Sequence, residues 1–194
     1  MSETIRLPDL MLVTGVSRID VLSARLAASP CLQRGGLPWV AHFNCDSAAK
    51  AFNATLDSRP RADWLVWVHQ DVFLPDGWDS RFAASLRDAQ FKFPNLAVAG
   101  VYGISGAGRS AVRAGHVLDR GQLLKEPAAL PCPVNSLDEL LLAVRVDSPL
   151  RMDPALGFDF YATDLVLQAQ EAGLASVVVD AYCEHWSDTP SSGP

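Results

Sequence analysis

The stretch WLVWVHQDVFLPDGW, residues 64–78, sets five apolar, β-favouring residues directly against His69, Gln70 and Asp71. Residues 64–68 have the composition of a strand buried on both faces. Pro75, Asp76 and Gly77 then predict a turn, and GWDSRFAASLRDAQ a helix. Working outward, the same alternation precedes it: LMLVTG then IDVLSARLAA, and LPWVAHF then SAAKAFNATL. LAVAGVYG supplies a further strand after the third pair. Strands and helices alternating at this spacing imply βαβ units with right-handed crossovers. The fold class expected is α/β, a Rossmann-like, mostly parallel central sheet with helices on both faces.

From Gly103 to Pro133 the pattern breaks into glycines, prolines and scattered polar residues. It predicts a long irregular segment, and such segments in compact domains often carry function. SLDELLLAVRV predicts one strand entered through Asp138 and Glu139, followed by the turn-like DSPLRMDP. ATDLVLQAQEAG predicts a helix with Thr163 or Asp164 near its start and Gly173 as its stop, and SVVVD a last short strand. The expected organisation is one domain over residues 1–187 and a flexible tail over 188–194.

With 194 residues, 49% of them hydrophobic, the chain suits one substantial domain. Its 22 acidic and 16 basic residues give a net charge of -6, which argues against a nucleic-acid partner. No apolar run approaches the roughly 20 residues of a transmembrane helix. MSETIRLPDL lacks the basic and apolar regions of a signal peptide. A soluble, cytoplasmic protein is expected. Cys31, Cys45, Cys132 and Cys183 form no CxxC pair, and reduced, mostly buried thiols are expected.

In open α/β sheets ligands sit outside the carboxyl ends of the strands, where Asp71 is placed. Asp71 is a site residue or simply part of the turn ahead of Gly77. Asp159 and Asp164, in GFDFYATD, stand at a helix entrance, where a carboxylate serves as a cap or as a general base. His185, in CEHWS, follows the last predicted strand and either reaches the same sheet edge or is structural. GISGAGRS, residues 103–110, has the spacing of a phosphate-binding P-loop with Arg109 in place of lysine. The following AVRAGHVLDRG has no helical period to face a phosphate, so its glycines are read as loop.

NCDSAAKAFNATLD, WLVWVHQDVFLPDGW, LAVAGVYG, NSLDELLLAVR and FDFYATDLVLQAQEAGLASVVVDAYCEHWS form an ordered series over roughly residues 37–187. The series resembles the family 2-like glycosyltransferases, and within them a short group with HQDV in place of DxD. The resemblance implies a GT-A-like fold, a nucleotide-sugar donor, a carbohydrate or lipid-linked acceptor, and a role in polysaccharide biosynthesis. It implies a divalent cation, Mn²⁺ or Mg²⁺, on the donor diphosphate, with Asp71 and His185 as metal ligands. It further implies Asp164 as general base, Asp46, His69 and Gln70 as donor-binding residues, and Asp138, Glu139 and Asp159 on the acceptor side. A single displacement would invert the anomeric centre. His69 stands where the common motif has its first aspartate, and His with Asp is not the usual magnesium pair, which leaves the metal's identity open. A short chain of this kind could complete its acceptor pocket as a homo-oligomer. The other readings are a non-catalytic GT-A-like nucleotide- or glycan-binding module and a P-loop-like kinase or hydrolase.

Overall fold

The computed structural model describes residues 6–106 and 108–187; the tail expected over 188–194 lies outside the described residues. The first half runs β1 (Leu10–Val16), α1 (Ile19–Ala24), α2 (Pro30–Gln33), β2 (Trp39–Phe43), α3 (Ala48–Asp57), β3 (Trp64–Val68), β4 (Val72–Phe73), α4 (Trp78–Lys92) and β5 (Leu96–Gly100). The second half runs β6 (Tyr102–Ser105), β7 (Val112–Asp119), β8 (Gln122–Lys125), β9 (Cys132–Pro133), β10 (Ser136–Leu137), β11 (Leu141–Arg145), α5 (Tyr161–Glu171), β12 (Ala175–Val178) and β13 (Cys183–His185).

The main sheet has seven strands in the order β2-β1-β3-β11-β5-β12-β9. β1 is parallel to β2 and β3, and β12 to β5, while β11 runs antiparallel between β3 and β5. Because β11 is reversed against both neighbours, β2, β1, β3, β5 and β12 all point one way, so the sheet is mostly parallel in direction. β3 shows why it lies at the centre. Trp64, Val66 and Val68 join the core beneath α4, and Leu65 and Trp67 join the opposite core with α3 and α5. Burying each such side chain contributes about 1.5–3 kcal/mol. Helix ends follow local chemistry: Ser47 Oγ accepts from Lys50 N at 3.2 Å to open α3, and Gly173, at φ +70°, ends the turn after α5.

A second sheet, ordered β10-β6-β7-β13-β4 with β8 paired to β7, abuts the first at the carboxyl ends of β3 and β5. The chain enters it four times, from β3 through residues 69–71 into β4, from β5 through Val101 into β6, from β9 into β10 and from β12 into β13. This sheet corrects the expected irregular segment: Gly103–Pro133 is largely strand. β7 and β8 are joined by the two-residue turn Arg120-Gly121, with φ of +48° and +79°, the geometry that matches strand twist. Half-exposed strands of uneven polarity left no clear alternation to read.

Three further expectations are revised. IDVLSARLAA is not one helix: α1 stops at Ala24, Leu26–Ala28 form a 3₁₀ turn, and α2 starts anew at Pro30, whose ring favours a helix start. SLDELLLAVRV divides between the sheets, because Asp138 Oδ1 accepts from Leu140 N at 3.0 Å and turns the chain between β10 and β11. CEH does not trail the last strand but is itself a strand, β13, parallel to β7 and antiparallel to β4.

Candidate functional site

β3 ends where its ladder with β11 runs out, the last link being His69 N to Leu140 O at 3.0 Å. Residues 69–71 then cross to the second sheet. Val72 N bonds His69 O at 3.2 Å and Trp186 N bonds Asp71 O at 3.0 Å, so this backbone is fixed from both sides. Gln70 faces the loop after β1: its Oε1 accepts from Ser17 N at 3.2 Å and Arg18 N at 3.0 Å, and its Nε2 donates to Ser17 Oγ at 2.9 Å.

His69, Asp71 and His185 converge, with one ligand atom from each lying within 4.8 Å of the others. Each imidazole has one nitrogen tied outside the cluster. His69 Nε2 is 2.8 Å from Tyr161 Oη, which also accepts from Trp67 Nε1 at 2.9 Å and donates to the Glu139 carbonyl at 3.2 Å. A phenol that donates to a carbonyl must accept from the ring, so His69 carries its proton on Nε2 and keeps a lone pair on Nδ1. His185 is the mirror case, with Nδ1 2.8 Å from Asp119 Oδ1. Its Nε2 is buried without a hydrogen-bond partner among the described residues, 3.4 Å from Asp71 Oδ1 but unaligned with it.

Two inward lone pairs and a carboxylate fit a divalent cation, and the orphaned Nε2 is the atom such an ion would satisfy. The charges agree. Burial, then the nearby His185, holds the His69 imidazole below its ordinary pKa and keeps it neutral. Burial works to raise the Asp71 carboxyl, but His185 and His69 outweigh it and hold it below the usual range. Burial likewise works to lower His185, and the Asp71 and Asp119 carboxylates outweigh it and raise it. The carboxylates that draw a proton to this ring would equally draw a cation.

Beside the cluster lies a cavity of about 260 Å³ whose walls include Gly15, Ser17, Asn44, Trp67, Asp71 and Phe158. A Cβ at Gly15 would stand 3.1 Å from Trp67 Cη2, close enough that the indole would have to give by a few tenths of an ångström. Phe158 is half exposed over the opening.

The remaining expected residues fall in three places. Asp138, Glu139 and Asp159 lie close enough that the two aspartates act on Glu139. Burial, then Asp138, pushes the Glu139 carboxyl up to about 7, although the nearby Phe160 and Tyr161 amides at the start of α5 work to lower it. Asp164 sits one turn into α5, with its N–H on Phe160 O at 2.9 Å. Its Oδ2 accepts from Gln168 Nε2 at 2.5 Å, and that amide also bonds Arg151 O, so Asp164 faces the Arg151 side and is not among the cavity walls. Asp46 is exposed and ion-paired with Lys50. Asp119, Trp67 and Tyr161 were not among the expected site residues. The P-loop spacing at 103–110 leads into strand β7 and not into a helix, so it presents no helix N-terminus to a phosphate.

No protein family profile matches the chain. It is similar to the ATP synthase subunits region ORF 6 protein of Fuscovulum blasticum, 31% identical over 140 residues, covering 66% of this chain and 53% of that one. The chain thus spans about half the length of that relative. Among solved structures it is similar to mannosyltransferase PcManGT from Pyrobaculum calidifontis in complex with GDP-Man and Mn²⁺, with a TM-score of 0.56, 9% identity, and coverage of 97% of this chain and 59% of that one. It is also similar to GalNAc-T7 with UDP, GalNAc and Mn²⁺, with a TM-score of 0.62, 10% identity, and coverage of 97% and 45%. The fold is GT-A-like.

Proposed function

We propose that the chain is a glycosyltransferase that moves a sugar from a nucleotide-sugar donor to a hydroxyl of a carbohydrate or lipid-linked acceptor, with inversion. The convergence of His69, Asp71 and His185 beside the Trp67 and Phe158 cavity, at the strand ends of a GT-A-like sheet, carries this reading. The two solved neighbours named above hold a nucleotide or nucleotide sugar and Mn²⁺.

His69, Asp71 and His185 would hold the cation. Bound there, it neutralises charge on the leaving diphosphate. Two imidazoles with one carboxylate favour Mn²⁺ over Mg²⁺, which prefers oxygen ligands. Trp67 and Phe158 offer aromatic faces to the donor nucleoside, and Gln70 holds the Ser17–Arg18 loop that forms the cavity edge. Asp46, a donor contact that the sequence resemblance implies, follows Asn44 and Cys45 of the cavity wall in the chain and would have to leave its pairing with Lys50 to meet the donor. On the acceptor side, the hydroxyl oxygen forms the new bond to the anomeric carbon as the carbon–phosphate oxygen bond breaks, and its proton passes to a carboxylate. Asp164 is the base that the sequence resemblance implies. Glu139 competes for that role, standing at the start of α5 between Asp138 and Asp159 and poised near neutrality. The setting proposed is cytoplasmic polysaccharide synthesis, with a second copy of the chain completing the acceptor pocket.

The test is transfer from a panel of nucleotide sugars, with Mn²⁺ or with EDTA, by the native chain, Asp71→Ala, Asp164→Asn and Glu139→Gln. Transfer should require Mn²⁺ and Asp71, and the base variant should lose it. Turnover that persists in EDTA and in Asp71→Ala would end the cation reading. A second reading, a nucleotide- or glycan-binding module without turnover, is favoured by Asp164 being engaged with Gln168 outside the cavity. Donor binding without product across the whole panel would select it.

A further inference from the structure

Asp119 belongs to β7, in the meander that reads as loop in the sequence, 66 residues before His185. β7 and β13 are parallel neighbours, and their register sets Asp119 directly opposite His185. Residues opposite one another on adjacent strands share a face, so the contact is dictated by the ladder and not by a flexible reach. Arg120 N bonds His185 O at 2.9 Å, locking that register at its end. The Arg120-Gly121 turn, with both φ values positive, ends the strand immediately after Asp119. The carboxylate and the ring are both mostly buried, with 26% and 12% side-chain exposure. Their contact of 2.8 Å is in the range of a charge-assisted hydrogen bond.

We propose that Asp119 is a positioning residue for the cation site: it accepts the Nδ1 proton of His185 and thereby presents the Nε2 lone pair to Asp71 and His69. A carboxylate only accepts, so the bond selects one tautomer of the neutral ring. It also fixes the ring's rotation, because a ring flip would exchange Nδ1 for carbon against Asp119. The consequence is visible on the other side of the ring, where Nε2 is buried and unpartnered among the described residues. The ring's other contacts among the described residues are looser, an edge-on approach to His69 with centroids 5.7 Å apart and Nε2 at 3.4 Å from Asp71 Oδ1. The proposal rests on the reading that the three-residue cluster holds a cation, and it assigns a role to a strand that reading does not otherwise use.

The test is Mn²⁺ binding to the full chain without donor, by titration calorimetry and by loss of the free Mn²⁺ paramagnetic resonance signal. The native chain should bind and Asp71→Ala should not. Asp119→Ala should bind 10- to 100-fold more weakly, the usual effect of removing a ligand's outer partner. Asp119→Asn, whose amide oxygen still accepts from Nδ1, should recover most of that loss. Nitrogen-15 NMR of the metal-free native protein at pH 9 gives a readout independent of any variant, and should show His185 protonated at Nδ1. Protonation at Nε2 instead, or unchanged affinity in Asp119→Ala while Asp71→Ala has lost binding, would overturn the role of Asp119 alone. Absence of Mn²⁺ binding by the native chain would overturn the cation site and this proposal with it.

Discussion

Replacing Glu139 by glutamine should make the protein more stable at pH 8 while leaving it nearly unchanged at pH 4. In the folded chain burial and the adjacent Asp138 push this carboxyl up to about 7, against 4.5 for the free side chain. That difference of about 2.5 is equivalent to about 3.4 kcal/mol at most, and the side chain's partial exposure screens it to about 1–2 kcal/mol. The sign follows from proton binding. Below pH 4.5 both states carry the proton and nothing is lost. Between 4.5 and 7 the unfolded chain releases it while the folded chain retains it, so stability falls as pH rises through that window. Above 7 the folded chain carries a charge that its surroundings disfavour. Glutamine has nearly the same shape and carries no charge at any pH. Urea unfolding at pH 4 and pH 8 measures the difference, and at pH 8 thermal melting should rise by about 3–6 °C for a chain of this size. A variant that is less stable at pH 8, or equally displaced at both values, would refute the account. If the same variant loses transfer, Glu139 is a group whose unfavourable charge serves the chemistry.

Tyr161→Phe should destabilise by about 2–4 kcal/mol, because Trp67 Nε1, His69 Nε2 and the Glu139 carbonyl all lose their shared partner; a loss under about 0.5 kcal/mol in urea melts would contradict that network. Gln70→Ala releases Ser17 and Arg18 from their brace and should raise the donor KM several-fold with a smaller effect on kcat; a fall in kcat at unchanged KM would place Gln70 in the chemistry instead. In thermal-shift measurements with a nucleoside diphosphate, Mn²⁺ should raise melting more than Mg²⁺ at equal concentration, and equal or reversed shifts would count against a site built on two imidazoles.

How much of this could be read along the chain depends on how local each cause is. β3 was legible because Trp64–Val68 are buried on both faces, a property of five adjacent residues. Asp71 was placed at a strand end for the same reason, and the structure groups it with His185 and His69. The second sheet was not legible. Apart from β7 its strands are short, β7 itself begins exposed, and the sheet is held by pairings between β4 and β13 or β7 and β13 that bring distant segments together. Asp119 was hidden in that way, its partner being 66 residues off. Tyr161 stands just ahead of the helix expected from ATDLVLQAQEAG, and nothing adjacent reveals that its hydroxyl meets Trp67 of β3. For Asp164 the sequence places the residue near the start of α5 but not the direction of its side chain, and Glu139, from a separate segment, stands near the amides at that helix end.

The pairing of β13 with β4 and β7 also bears on the order in which the molecule is made. Most strands of the main sheet, β1, β3, β5 and β11 among them, are present in the chain before α5 emerges during synthesis. The His69, Asp71 and His185 constellation cannot exist until residue 185 has been added and has found partners far earlier in the chain. Such distant contacts form late. The site is therefore a record of completed folding, and a molecule whose β13 has detached would keep its core while losing any activity that depends on the cluster.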